Sequence, residues 1–361
     1  MIIGDKFIIL KKLIVEDLDH ILSHTKNLWD ELRGKKIFMT GGTGFFGTWL
    51  LESFLWANMK FDLGAEIILF SRDPDRFMKK VPHLLPHVSV KIIHGDVKKE
   101  IPYVQGPIHY IIHAATEYDA QLGATNPLSN VDTIITGTRK VLDFANTQSS
   151  KRFLFISSGA VYGKQLPTLE NISENFPGAP DVTNVDGSYM AYGEAKRMAE
   201  SLCSMYRKTF GLNTVIARCF SFIGPYLDLS RHYAISSFIN DGLLGRPIHV
   251  EGDGRDIRSY LYAADLAIWL WTLLIKGRSG QVYNVGSEQA ITVGNLAYAV
   301  SLCFQPPRQV IVAKKEDVDK PVDRYVPSIA RAHSELGLEE WINLKEALKK
   351  TIDWNRNKRA G

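Results

Sequence analysis

The chain has 361 residues, 45% of them hydrophobic and 23% charged, with a formal net charge of +4 at neutral pH. That is enough apolar material for one large α/β core plus a smaller lobe, which excludes a disordered or fibrous protein. The basic residues are scattered, so no nucleic-acid footprint is visible, and no run approaches the roughly 20 apolar residues of a membrane span. Cys203, Cys219 and Cys303 lie in apolar contexts without metal-ligand spacing or an even-numbered framework. A cytoplasmic, metal-free protein with neither signal peptide nor membrane segment is expected.

Residues 1–33 precede the first strand run. Leu18, Ile21, Leu22, Leu28 and Leu32 recur at helical spacing, predicting one or two short helices over 16–32 that brace the body. From residue 34 onward, strand runs at 36–39, 66–70, 90–94, 110–114, 153–157 and 214–218 alternate with helical segments, the pattern of a parallel, doubly wound sheet. The first run leads into Gly41, Gly42, Thr43, Gly44, Phe45, Phe46 and Gly47, with a helix starting near Phe46. Such glycines let the backbone approach a pyrophosphate, and the helix N-terminus adds partial positive charge. Alone this is a weak signal, because glycine-rich turns also serve no ligand.

The second strand ends Phe70-Ser71-Arg72, with no carboxylate before Asp73 to meet the ribose hydroxyls of NAD. The Arg72 guanidinium suits a 2′-phosphate and Ser71 can donate to it, which favours NADP(H) over NAD(H). The strand at 153–157 runs into Ser157 and Ser158, hydroxyls at the carboxyl edge of the sheet. Pro177-Gly178-Ala179-Pro180 marks a loop, after which Tyr192 and Lys196 share one helix face. An ammonium there stabilises a phenolate, so Tyr192 can exchange a proton near neutral pH. Beyond Arg218 come helices, loops and short strands up to an amphipathic segment at 344–354, read as a substrate lobe. Asp265 is expected to N-cap a helix over 266–274, with Tyr262, Trp269 and Trp271 in the core.

Taken in order, several motifs carry a family resemblance. They are the spaced Gly41, Gly44 and Gly47; His113-Ala114-Ala115; Ser157-Ser158-Gly159-Ala160-Val161-Tyr162-Gly163; Tyr192 with Lys196; and Arg218 with Gly224-Pro225. Gly252-Asp253-Gly254 with Arg258, Tyr283-Asn284-Val285-Gly286 and Leu336-Gly337-Leu338 complete the set. From Gly34 to Trp354 the chain resembles an extended short-chain dehydrogenase/reductase, the branch that modifies nucleotide-activated sugars. The resemblance implies a Rossmann-type α/β fold with a smaller C-terminal substrate-binding lobe. Its expected parts are a helical extension at 1–33, a cofactor domain at 34–217 and an interleaved nucleotide-sugar lobe at 218–361.

The same resemblance implies roles. Asp96 and Val97 meet the adenine, and His113, Ala114 and Ala115 lie beside the cofactor. Tyr192 is the acid/base, Lys196 binds the nicotinamide ribose, and Ser158 polarises a carbonyl. Ser221, Arg258 and Arg324 meet the sugar diphosphate, with Arg331 less defined. Helices around 128–147 and 192–209 imply a homodimer. In 4,6-dehydratases the family carries an Asp-Glu pair after the serine, and decarboxylating members carry a Glu at the second position; here stand Gly159 and Ala160. Neither moves a proton, so hydride transfer at sugar C4 remains: reduction of an NDP-4-keto-(6-deoxy)hexose first, 4-epimerisation second. Dehydration or decarboxylation would need another acid/base, such as Glu117 or Tyr118. A non-catalytic cofactor-binding relative is the alternative from another class, and Ser158, Tyr192 and Lys196 argue against it. Ile134 and Ser221 stand where relatives usually have Asn.

Overall fold

A computed structural model describes residues 2–84, 87–116, 127–183, 188–230, 233–319 and 321–359. Its centre is a seven-stranded sheet with spatial order β3-β2-β1-β4-β5-β6-β11. The strands are β1 (Lys36–Thr40), β2 (Glu66–Ser71), β3 (Val90–His94), β4 (Tyr110–His113), β5 (Arg152–Ser158), β6 (Thr214–Cys219) and, after four short strands, β11 (Val282–Val285). All neighbours in this sheet pair in parallel. Continuous apolar runs such as Ile37-Phe38-Met39 suit strands covered on both faces, and these three are fully buried.

The helices are α1 (Ile2–Thr25), α2 (Phe45–Phe61), α3 (Pro74–Lys80), α4 (Pro127–Thr147), α5 (Ser188–Phe210), α6 (Ala234–Leu243), α7 (Ala263–Lys276), α8 (Val293–Ser301), α9 (Ala330–Leu336) and α10 (Leu344–Arg359). The predicted strand runs match the strands to within a residue or two. The seventh strand, β11, is a finding beyond them, because four residues followed by glycine carry too little pattern to read as a strand. Short strands lie between the helices of the C-terminal part. Among them, β9 (Ile257–Arg258) lies between β12 (Ile291–Thr292) and β14 (Arg324–Tyr325).

The predicted helices over 16–32 prove to be one longer helix, α1, followed by a 3₁₀ segment from Lys26 to Leu32. Leu18, Ile21, Leu22, Leu28 and Leu32 are all buried, against a core that includes α7. Two polar ties fix the extension. Asp17 accepts from the Tyr262 hydroxyl at 2.6 Å and from the Lys350 ammonium at 2.8 Å, and His20 meets Asp265 at 3.0 Å. The N-cap expectation for Asp265 is corrected: Tyr262 is the cap residue, and the Asp265 carboxylate accepts the backbone N–H groups of Trp341 and Ile342. It joins α7 to the segment before α10. Tyr262, Trp269 and Trp271 are buried as expected.

Candidate active site

β1 and β4 are sheet neighbours from which the chain leaves toward opposite sides, so the crevice beyond their carboxyl ends is where an α/β sheet receives a ligand. The glycine loop follows β1, and Ala114-Ala115 follows β4. They touch closely. Gly41 has φ +70°, and a Cβ there would lie 2.4 Å from the backbone carbon and oxygen of Ala114. A Cβ on Gly47 would lie 2.3 Å from the Cα of Gly42. The loop is therefore a cradle that side chains would fill, with Gly44 capping α2 by backbone alone. Thr43, Phe45 and Phe46 are half-buried around it, and the Phe46 ring meets Phe222 edge-on at 4.9 Å. A dinucleotide pyrophosphate fits this geometry.

At the end of β2, Ser71 Oγ accepts the Asp73 N–H at 3.2 Å, and Arg72 is exposed. Asp73 caps α3 by accepting from Arg76 N–H at 2.9 Å. Asp96 is half-buried and accepts the Lys98 N–H at 3.0 Å, whereas the Val97 side chain packs in the core with Ile134. His113, which ends β4 just before Ala114, has a structural side chain. Its side chain is fully buried, with Nδ1 2.6 Å from the Thr40 hydroxyl and Nε2 3.0 Å from that of Thr138. Burial, reinforced by the Lys196 charge, pushes its pKa down to about 3, so it is a neutral strut behind the loop.

Ser158 ends β5 and opens a 3₁₀ turn, Gly159–Tyr162, by accepting the Ala160 N–H at 3.1 Å. With a lone pair occupied that way, its own hydroxyl proton is left to donate into the crevice. α5 packs on this turn at very short range: a Cβ on Gly193, beside Tyr192, would lie 2.6 Å from the Ala160 carbonyl oxygen. That glycine, between Tyr192 and Lys196, lets the Tyr192 helix approach the turn after Ser158. Lys196 lies one turn further on, buried, with Nζ donating to the Ile156 carbonyl at 2.8 Å and standing 5.8 Å from the Tyr192 ring centroid. Burial pushes the Lys196 ammonium down to about 8.

The position after Ser158 has a neighbour that the sequence does not reveal. A Cβ on Gly159 would lie 2.5 Å from the Tyr325 hydroxyl and 2.9 Å from the Phe220 ring. Tyr325 and Phe220 pack with ring centroids 4.6 Å apart and planes tilted by 35°. They fill the space where a side chain at 159 would stand.

Toward the C-terminal part, Ser221 is half-buried and its carbonyl accepts from Leu261 N–H. Arg258 donates to the Asp323 carboxylate at 2.7 Å and to the Asp323 carbonyl at 2.9 Å. Arg324 donates to the Glu170 carbonyl at 2.5 Å. Arg331, open to a diphosphate role in the sequence, is structural: it donates to the Val282 carbonyl at 2.7 Å and to Asn175 at 2.8 Å. Glu117 and Tyr118 lie outside the described residues. No helix among the described residues is long and apolar enough to cross a membrane, and no group of His, Cys, Asp and Glu there is arranged to hold a metal.

The family model described as "NAD dependent epimerase/dehydratase family" matches residues 37–286. The chain belongs to that family. It is 29% identical over 325 residues to UDP-glucuronic acid decarboxylase 1 of Arabidopsis thaliana, covering 90% of this chain and 70% of that protein. It is 25% identical over 332 residues to dTDP-glucose 4,6-dehydratase of Streptomyces niveus, covering 90% of this chain and 94% of the other. Among solved structures, UDP-glucose 4-epimerase of Thermotoga maritima superposes with a TM-score of 0.74 at 20% identity, covering 90% of this chain and 99% of that one. The extended short-chain dehydrogenase/reductase resemblance and the Rossmann-type fold are thus both shown.

Proposed function

We propose that this family member reduces an NDP-4-keto-(6-deoxy)hexose at C4, using NADP(H), in the cytoplasm. The observation that carries the reading is the turn after Ser158: Gly159 and Ala160 offer no ionisable group, and Tyr325 with Phe220 occupies the space a carboxylate at 159 would need. The usual route for removing water or carbon dioxide from the sugar uses an acid or base at those positions. Hydride transfer with a single proton exchange does not.

The nicotinamide cofactor, when bound, supplies the hydride. The protein's part follows from its own atoms. Ser158 donates its hydroxyl to the C4 carbonyl oxygen, Tyr192 delivers the proton to that oxygen, and the Lys196 ammonium stabilises the resulting phenolate. Since Lys196 holds its charge only below its lowered pKa, turnover is expected to fall as pH rises through about 8. Arg258 is the group expected to take the sugar diphosphate, exchanging the Asp323 carboxylate for phosphate oxygens. Ser221 and Arg324 are assigned to the same substrate.

The cofactor preference rests on Ser71 and Arg72, since the first carboxylate after β2, Asp73, is engaged as a helix cap. Arg72→Ala is expected to weaken NADPH roughly tenfold while leaving NADH nearly unchanged, as a charge-assisted contact is lost. Equal losses in fluorescence titrations of both cofactors, or a wild-type preference for NADH, would overturn the assignment.

A homodimer through α4 and α5 is part of the reading, supported by Leu128, Met198 and Met205, which are 74%, 42% and 52% exposed on those helices. The decisive experiment offers an NDP-4-keto-6-deoxyhexose with NADPH and, separately, NDP-hexoses and an NDP-hexuronic acid with NAD+ or NADP+, and follows products by NMR. Reduction of the keto sugar is expected. Interconversion of C4 epimers without net cofactor consumption would make the protein an epimerase instead. Release of water or carbon dioxide would refute the proposal.

A further inference from the structure

Behind the crevice, two side chains of α5 one turn apart grip consecutive residues of β5. Lys196 Nζ holds the Ile156 carbonyl at 2.8 Å, and Glu200 Oε1 accepts the Ser157 hydroxyl at 2.5 Å. Ser158 is the next residue. Glu200 is itself buried and clamped by Arg218, whose Nε lies 3.0 Å and Nη2 2.6 Å from its two carboxylate oxygens.

The Arg218 guanidinium stands 4.6 Å from the Tyr162 ring centroid, and the Tyr162 hydroxyl donates to Asn284 at 2.7 Å. Asn284 in turn donates through Nδ2 to the Ser328 carbonyl, three residues beyond Tyr325. A buried polar chain therefore runs from the end of β5 to the segment carrying Arg324 and Tyr325. Nothing in the reaction outlined above uses Glu200.

We propose that Glu200 is a positioning residue, fixing the Ser157–Ser158 strand end to the helix that carries Tyr192 and Lys196 and balancing the charge of Lys196 inside the core. This rests on the hydride-transfer reading of the same site. The groups facing Lys196 are Tyr192, Glu200 and Cys203 on its own helix, Cys219 on β6 and His113 on β4. Burial holds both thiols protonated and His113 neutral. Among these, Glu200 is thus the group that brings a carboxylate charge to offset the ammonium.

Two measurements test this. In Glu200→Gln, the alkaline limb of turnover and of NADPH affinity should move down by about one pH unit, the scale of losing one nearby opposite charge. Glu200→Asp, which keeps the charge, should leave that limb near its wild-type position. Glu200→Gln also leaves Arg218 buried without a carboxylate and can fail to fold, so Ser157→Ala serves as a second variant that keeps the ion pair intact. Ser157→Ala should lower kcat roughly tenfold through misplacement of Ser158, with NADPH affinity unchanged.

An unmoved limb in folded Glu200→Gln, or wild-type kcat in Ser157→Ala, overturns the proposal. The NADPH titrations need no turnover, so they decide the role of Glu200 even where the sugar assignment is wrong.

Discussion

Tyr192→Phe is expected to lower kcat by about 10²- to 10⁴-fold, the usual contribution of a positioned proton donor, while NADPH affinity changes little. The substitution removes a single oxygen from a half-buried ring on α5 and leaves the backbone contact between Gly193 and the Ala160 carbonyl untouched. Geometry is preserved, so a loss confined to kcat would report proton transfer. Single-turnover hydride transfer followed by nicotinamide absorbance is the appropriate measurement. Turnover at the wild-type rate would remove Tyr192 from the chemistry, and the separate roles assigned to Ser158 and Lys196 would then need another proton donor.

Gly41→Ala should weaken cofactor binding without unfolding the chain. The residue sits at φ +70°, and its new Cβ would meet the Ala114 backbone at 2.4 Å, with no flexible side chain able to yield. Backbone strain of this kind costs about 1–3 kcal/mol, and relieving it means separating the loop after β1 from the segment after β4. If that separation is transmitted to the phosphate cradle, affinity falls by roughly 10- to 100-fold. Isothermal titration with NADPH, alongside a melting curve, separates the two effects. Unchanged affinity would show that the pyrophosphate does not rest on this loop.

Local pattern carried the sheet well. Runs such as 66–70 and 90–94 are apolar, short and bounded by turn residues, and each became a strand close to its expected limits. The start of α1 was less legible because charges interrupt the apolar spacing of its first turns. Asp265 was misread because helix starts and acidic residues go together, whereas its real partners, Trp341, Ile342 and His20, lie 76, 77 and 245 residues away.

The candidate site divides in the same way. Gly41, Ser158, Tyr192 and Lys196 sit in contiguous motifs and can be picked out by spacing. Glu200, Phe220 and Tyr325 matter through contacts across the fold, and no local pattern announces such contacts. His113 lies inside a recognisable motif that marks it as a structural loop residue, but its partners, Thr40 and Thr138, lie 73 and 25 residues away and no local pattern names them.

The contact between Gly159 and Tyr325 has an evolutionary consequence. An aspartate introduced at 159 would collide with the phenol, and a smaller residue introduced at 325 alone would leave a gap above a glycine. Residues in contact in this way are expected to couple when either is changed. A lineage moving between this site and one with a carboxylate beside Ser158 has to move the Tyr325 phenol or replace it. Such coupling favours joint change, so residues 159 and 325 are expected to co-vary among relatives.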